Sequence, residues 1–405
     1  MPEPKAPTEY IQLAFMIDSH FPGYVDAYYG PSELQTQNTT DDPPSLELLA
    51  EAAVSLGQSI ATDPNLTPER RTFLEAEWRA MHTTIQILKG NTPNIVDEVR
   101  LLYGVTPDWV DEHHFEDAHH ALNEILPGSE PLAKRVQAFR ERSRVPVAAA
   151  ASIIHSLIED FRGRARHLFG LPSDETCEIS FVADVPWRAY NWYQGKGKSR
   201  IEFNQDLPLE MWDIPTTVAH ETYPGHHTER VLKENKLYLG EGRLENSIAL
   251  SNTPSALISE GIAANALLAL MSEEEIASLL IDCYERAGLS RQDALHASAF
   301  MAAHRQLESV VDNQVLLLYR DQAPEQEVMA YGLRYALTNE EDEAHTLRFI
   351  QDPLSRSYTY NYTLGRQLIA AHLDQVTDKG RAFQRLLSQP LTPAQIREFA
   401  TRPQE

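Results

Sequence analysis

Residues that can bind a metal or carry protons crowd into the stretch HETYPGHH, His220 to His227. Imidazole and carboxylate groups are common zinc ligands, and a glutamate beside a ligating histidine can move protons during hydrolysis. In the H-E-x-x-H pattern the two histidines share one helix face about 6 Å apart along the axis, which suits two imidazoles on one ion. His220 and Glu221 open such a pattern, but Pro224 occupies the place of the second histidine. Proline has no N–H for the carbonyl four residues back, and its ring clashes there. The helix must therefore be disrupted at this turn, and Gly225 permits unusual backbone angles. A two-residue bulge would carry His226 to the position of the i+4 ligand. On an undistorted helix His227 shares the face of His220 but lies about 10.5 Å further along. His226 is thus the expected second ligand and His227 the reserve.

A catalytic zinc takes three protein ligands and keeps a fourth position open. The expected third is Glu260, in NTPSALISEGIAANALLAL, where a carboxylate starts an otherwise apolar helical run. Such a group is costly to bury unless paired or metal-bound. The competing reading is a glutamate favoured by the N-terminal end of a helix. Glu221 is expected to be the proton-transfer base, not a ligand.

The elements that would position these residues are mostly helices. SLELLAEAAVSLGQSIA, ERRTFLEAEWRAMHTTIQILKG and AAAASIIHSLIEDFRGRARHLFG carry apolar residues at three- and four-residue spacing. The last stops at Gly170-Leu171-Pro172. From about residue 252 onward the helical pattern is nearly continuous, with short turns at GLS, RDQAPE, LTNEED and QDPLS. Aromatic and β-branched runs over about 177–205 predict two or three strands, a small sheet just before the motif. The polar stretch QTQNTTDDPPS at 35–45 reads as loop. The expectation is a mainly α protein in one domain, 1–405, with a helical lobe 1–170 and a catalytic lobe 171–405.

With 59 acidic and 35 basic residues the formal charge is −24, which argues against nucleic-acid binding. The two cysteines, Cys177 and Cys283, do not make a disulfide scaffold or a nucleophile pair. No apolar run is long enough for a membrane span, and MPEPKAPTE lacks the regions of a signal peptide, so a cytoplasmic protein is expected.

HETYPGHH followed by SEGIA resembles the domain of unknown function 885 (DUF885) family, placed among zinc-metallopeptidase-like proteins, whose typical form is H-E-x-Y-P-G-H-H with a later E-G-W-A. HFPGYVDAYYGP, the segment SFVADVPWRAYNWYQGKGKSRIEFNQDLP, and the late ESVVDNQVLLLYRDQAPEQEVMAYGL and YTYNYTLGRQLI extend the resemblance over nearly the whole chain. It implies a large helical metallopeptidase-like fold, akin to helical zinc carboxypeptidases and oligopeptidases, with a small sheet beside a deep cleft. The strand ending SRIEFN would then bind an extended peptide by edge pairing. Tyr362 matches the tyrosine of the family's Y-x-x-G, whose hydroxyl would stabilise an oxyanion. The chain departs from the pattern at Ile262, where the family has Trp, and at Leu316, where V-D-x-G-x-H has its histidine.

The function these readings imply is a metallopeptidase with one Zn²⁺ ion, acting on a peptide or peptide-like small substrate. The same ligands would serve a hydrolase of a non-peptide amide or ester, or a binding protein that keeps its metal without catalysis. A helical scaffold with no metal would make the octapeptide a coincidence. Of the other candidates, His113, His114, His119 and His120 read as a solvated face. His304, Arg305 and Arg366 are candidates for orienting a substrate carboxylate.

Overall fold

The computed structural model describes residues 4–38 and 43–401. Helices dominate, and two small sheets of two and three strands interrupt them. The three long helices expected from apolar spacing span Leu46–Thr62, Pro68–Leu88 and Val147–Phe169. Ser45 and Thr67 cap the first two through side-chain oxygens that accept backbone N–H groups otherwise without a partner. The third ends at Gly170 in the left-handed conformation, φ 68°, as the Gly-Leu-Pro stop implied. Ser290 and Asn339 cap helices in the C-terminal half. Within the polar stretch at 35–45, residues 35–38 belong to the helix Ser32–Asn38 and not to a loop. Residues 39–42 of that stretch lie outside the described residues, as do the first three of the segment read as lacking a leader.

The strands are β1 (Val25–Tyr28), β2 (Thr176–Val182), β3 (Ala189–Gly195), β4 (Lys198–Asn204) and β5 (Ile248–Leu250). The sheet expected over about 177–205 comprises β2, β4 and β3 in that order. β3 and β4 form a hairpin, with Lys196 (φ 55°) and Gly197 (φ 70°) turning the chain. β4 is also parallel to β2, so both its edges are taken. This corrects the expectation for SRIEFN: the strand that carries it is central and has no free edge for a peptide. The cleft is met instead by Ala189 and Tyr190 of β3, an outer strand. The second sheet, β1 against β5, has no counterpart in the sequence pattern.

A smaller core gathers Tyr10, Leu49, Leu56 and Leu74 from the N-terminal helices, together with Ile248 and Leu250 of β5. The larger core joins residues before 170, such as Val99 and Phe161, to residues up to Ile396. Ile262 and Leu316 are fully buried in it.

Two helices that frame the candidate site, Pro254–Ala264 and Thr359–Asp374, cross at unusually short range. A Cβ on Gly261 would sit 2.4 Å from the Gly365 carbonyl oxygen, and one on Gly365 would sit 2.4 Å from that of Leu257. Gly261 follows Glu260, and Gly365 closes the Y-x-x-G that starts at Tyr362. The two glycines thus let a carboxylate on one helix face tyrosines on the other. Gly261→Ala is expected to push the helices apart at a cost of about 1–3 kcal/mol, read as a lower urea midpoint. An unchanged midpoint would refute the close crossing.

Candidate metal centre

His220 and Glu221 end the helix Ile214–Glu221, which starts with Pro215 in its first turn. A second helix, His226–Lys233, begins at His226 itself. Between them the backbone ladder skips two residues. Gly225 N–H donates to the Ala219 carbonyl (3.0 Å) and Thr228 N–H to that of Thr222 (3.3 Å). Both are i→i+6 bonds, two residues longer than the helical i→i+4. The Tyr223-Pro224 peptide in this break is cis. Gly225 is required there, because a Cβ would lie 1.9 Å from the His220 carbonyl oxygen. The two extra residues put His226 beside His220, with ring centroids 4.7 Å apart and planes at 89°.

Glu260 completes the group. One ligand atom from each of His220, His226 and Glu260 lies within 4.8 Å of the others. Glu260 Oε2 is 3.3 Å from His220 Nε2 and 3.7 Å from His226 Nε2. That oxygen is buried and accepts no hydrogen bond among the described residues. A zinc tetrahedron with ligand bonds of about 2.0–2.1 Å has edges of roughly 3.3–3.4 Å, so the His220 spacing matches that ion and the His226 spacing is slightly longer. Glu260 is the seventh residue of Pro254–Ala264, far from its N-terminal turn, so the helix dipole does not account for it. It sits within the helix and not at its start.

The second nitrogen of His226 defines the first. Ser259 gives its single hydroxyl proton to Glu229 Oε2 (2.5 Å), so towards His226 Nδ1 (3.2 Å) its oxygen can only accept. A neutral His226 therefore carries its proton on Nδ1 and turns a bare Nε2 towards Glu260. Lys233 holds Glu229 from the other side at 2.5 Å. Burial alone would raise the Glu260 carboxyl, but the His226 and His220 imidazoles outweigh it and hold the group well below the usual carboxylate range. Burial would likewise lower His226, and Glu260 reverses the sign and raises it.

His227 has another task. It is fully buried, with Nδ1 2.7 Å from Ser199 Oγ on β4 and Nε2 3.0 Å from Glu175 Oε2. Glu175 also accepts from the Tyr223 hydroxyl (2.5 Å), Arg162 Nε (3.0 Å) and an Arg166 nitrogen (2.7 Å). Burial opposes ionisation of Glu175, yet bonds from His227, Tyr223 and Arg162 bring its carboxyl down to about 2. The octapeptide therefore faces two ways: His220, Glu221 and His226 line a pocket with Glu260 that adjoins the cleft, and Tyr223 and His227 face Glu175.

Glu221 is nine-tenths buried and lines the cleft. Burial raises its carboxyl to about 7, with His220 opposing and the Glu260 and Asp26 charges adding. Asn191 of β3 donates to the Glu221 carbonyl at 2.6 Å. Tyr362 is 43% exposed on the cleft wall. Tyr358, which sequence reasoning missed, is nearer the centre: its hydroxyl lies 3.4 Å from Glu260 Oε1. Burial, then the Tyr362 and Glu260 charges, push its phenol up, so it stays a donor. The signal was present in YTYNYTLG, because Tyr358 and Tyr362 are one helical turn apart and both line the cleft.

The cleft encloses about 720 Å³ between His220 and Glu221, β3, the helix Arg291–Arg305, and Phe349, Leu354 and Ser355. His304 and Arg305 line it, as the sequence suggested. Arg366 turns to Glu308 at 3.4 Å. His113, His114 and His120 are exposed, but His119 departs from the expected solvated face, packing on Tyr335 with Nε2 2.9 Å from its carbonyl. Cys177 and Cys283 are free thiols, and burial pushes both up out of the nucleophilic range.

No protein-family profile and no curated protein matches the chain. Solved structures of similar fold exist. A "putative lipoprotein" from Colwellia psychrerythraea aligns with a TM-score of 0.56 at 17% identity, over 88% of this chain and 67% of that one. A "putative lipoprotein of unknown function" from Shewanella oneidensis aligns with a TM-score of 0.50 at 13% identity, over 90% and 74% respectively. The likeness is one of fold. Among the described residues no helix is long and apolar enough to cross a membrane.

Two measurements separate the adjacent histidines. His226→Ala should abolish tight zinc binding with a modest change in stability. His227→Ala should keep zinc and cost about 2–4 kcal/mol, because Glu175 and Ser199 lose a buried partner. The reverse pattern would exchange their roles. The Glu175 carboxyl is depressed on folding, so its stabilisation is complete above about 4.5 and is lost as pH falls from there towards about 2. The difference in urea midpoint between the native protein and Glu175→Gln should therefore shrink across that window. A constant difference would contradict the assignment.

Proposed function

We propose that this chain is a zinc-dependent metallopeptidase of short peptides, carboxypeptidase- or oligopeptidase-like, and that it belongs with the DUF885 family its motifs resemble. One observation carries the reading. Two imidazole Nε2 atoms converge, at 3.3 and 3.7 Å, on a buried carboxylate oxygen that accepts no hydrogen bond among the described residues, close to the edge lengths of a zinc tetrahedron, with a buried glutamate next to one ligand. His220, His226 and Glu260 would hold one Zn²⁺ ion. Bound there, zinc supplies Lewis acidity, polarising a carbonyl and making a water nucleophilic near neutral pH.

The chain's own groups fit the remaining work. Glu221 projects into the cleft without binding the cluster, where it can take a proton and return it to a leaving amine. Tyr358 and Tyr362 offer hydroxyls that can donate to an oxygen gaining negative charge. A cleft of about 720 Å³ matches small ligands, for which sites of roughly 300–1,000 Å³ are usual, and suits short peptides better than folded proteins.

Metal analysis of the purified protein should return one zinc per chain. Glu221→Gln should keep that zinc and lose about 10²- to 10⁴-fold in hydrolysis, followed by mass spectrometry of a peptide-library digest with chelator controls. Full activity in Glu221→Gln would overturn the assignment of the base, and a chain that takes up no zinc would overturn the class.

A further inference from the structure

The helix Arg291–Arg305 runs past one wall of the cleft and ends there in a bend. It is tied to the first motif helix, because the Thr216 hydroxyl donates to Met301 Sδ at 3.2 Å. Thr216 stands one turn before His220, and Met301 one turn before Arg305. Each is thus about 6 Å along its own helix from that contact. The chain continues through a 3₁₀ turn, Gln306–Ser309, into the helix Val310–Tyr319. The carbonyls that a terminal arginine would ordinarily serve are therefore largely engaged by the continuing helix.

Among the described residues, the arginines that line the cleft are paired except at this one. Among the carboxylates lining it, Asp26 meets Arg230 at 2.9 Å, Asp213 meets Arg188 at 3.6 Å, and Glu308 meets Arg366 at 3.4 Å. Arg140 is held by Glu210 at 3.1 Å. Arg305 also lines the cleft and, among the described residues, its side chain makes no hydrogen bond and has no carboxylate within ion-pair distance. Burial lowers its guanidinium, and Glu308 offsets that only in part. An enclosed guanidinium without a partner is costly unless something else supplies the anion. His304 cannot be the partner cation. It packs between Trp212 and Phe300, with ring centroids 5.1 and 5.4 Å away, and burial followed by Arg140 lowers it to about 4.

We propose that Arg305 receives the C-terminal carboxylate of a short peptide whose scissile bond lies at the His220–Glu221 end of the cleft. This rests on the peptidase reading and narrows it to an exopeptidase that removes residues from the C-terminus. A guanidinium offers two parallel N–H donors to a carboxylate, which orients the chain end as well as attracting it. Trp187, Tyr190 and Trp212 line the same cleft and offer aromatic surface to an apolar terminal side chain.

The test compares tripeptide free acids with their C-terminal amides. Binding is measured by calorimetry on zinc-loaded Glu221→Gln, with and without Arg305→Ala or Arg305→Lys. Hydrolysis is measured with Glu221 intact, and each variant is checked for its melting midpoint. The free acids should bind about 10- to 100-fold more tightly than the amides. Arg305→Ala should erase that preference and leave amide binding unchanged, and Arg305→Lys should restore part of it. Equal binding of acids and amides by the parent, no binding of either, or an equal loss for both in Arg305→Ala overturns the proposal. If the acids bind with the predicted preference and no peptide is cut, the subsite stands and the peptidase reading falls.

Discussion

A backbone ladder that skips two residues governs the candidate site. Pro224 removes the N–H that a continuous helix would need, and Gly225 lets the chain pass within a distance of the His220 carbonyl that no Cβ tolerates. The i→i+6 bonds from Gly225 and Thr228 then restart the helix at His226. Two short helices joined in this way present His220 and His226 to one point, which a straight helix with the same residues could not do. The rest of the site is arranged around that join. Glu260 approaches from a helix that two glycines hold close to Thr359–Asp374, and Ser259 beside it fixes the tautomer of the histidine the break delivers.

The break needs an anchor, and Glu175 supplies it. Tyr223 and His227 flank the cis peptide and the glycine, and both bond to this one carboxylate, which Arg162 and Arg166 neutralise. A buried carboxylate is favourable only when its partners satisfy it, and here they come from four separate positions in the chain. The same contacts remove His227 from the cleft. The adjacent histidines are thus divided by function: one faces the candidate ligands, and the other holds the backbone that places it.

Much of this was legible in the residues because it follows from local covalent limits. The break at Pro224, the two-residue offset of His226, the glycine stop at Gly170 and the hairpin at Gly195–Lys198 are consequences of φ restriction and missing donors. What was not legible depends on distant partners. β5 is three residues long and pairs with a strand more than 200 residues earlier, so no alternation marks it. The central place of β4 depends on a parallel partner before the hairpin, a relation that strand composition does not carry. Glu175 gives no sign of its importance in its own neighbourhood, since its partners lie at 162, 166, 223 and 227. Tyr358 was overlooked because a Tyr-rich helix start looks the same whether its rings pack or line a cleft.

The position where the resembled motif has a histidine illustrates how a local change is absorbed. Leu316 stands one turn after Asp312 on the helix Val310–Tyr319, and both are buried. Residues at that spacing share a helix face, so a histidine there could reach the carboxyl. Leucine cannot. The Asp312 carboxyl accepts one hydrogen bond, from the Thr363 hydroxyl at 3.0 Å, while its second oxygen has no partner among the described residues. Burial raises the carboxyl to about 8, so it remains protonated at neutral pH. A neutral acid in an apolar layer needs no counter-ion, and Leu316 fills core volume in place of a charge partner. Thr363 lies on the helix Thr359–Asp374, which also carries Tyr362 and Arg366, so this position belongs to the frame behind the cleft wall. Arg366, one turn after Tyr362 on that helix, pairs with Glu308 at 3.4 Å and leaves the neutral acid to the core.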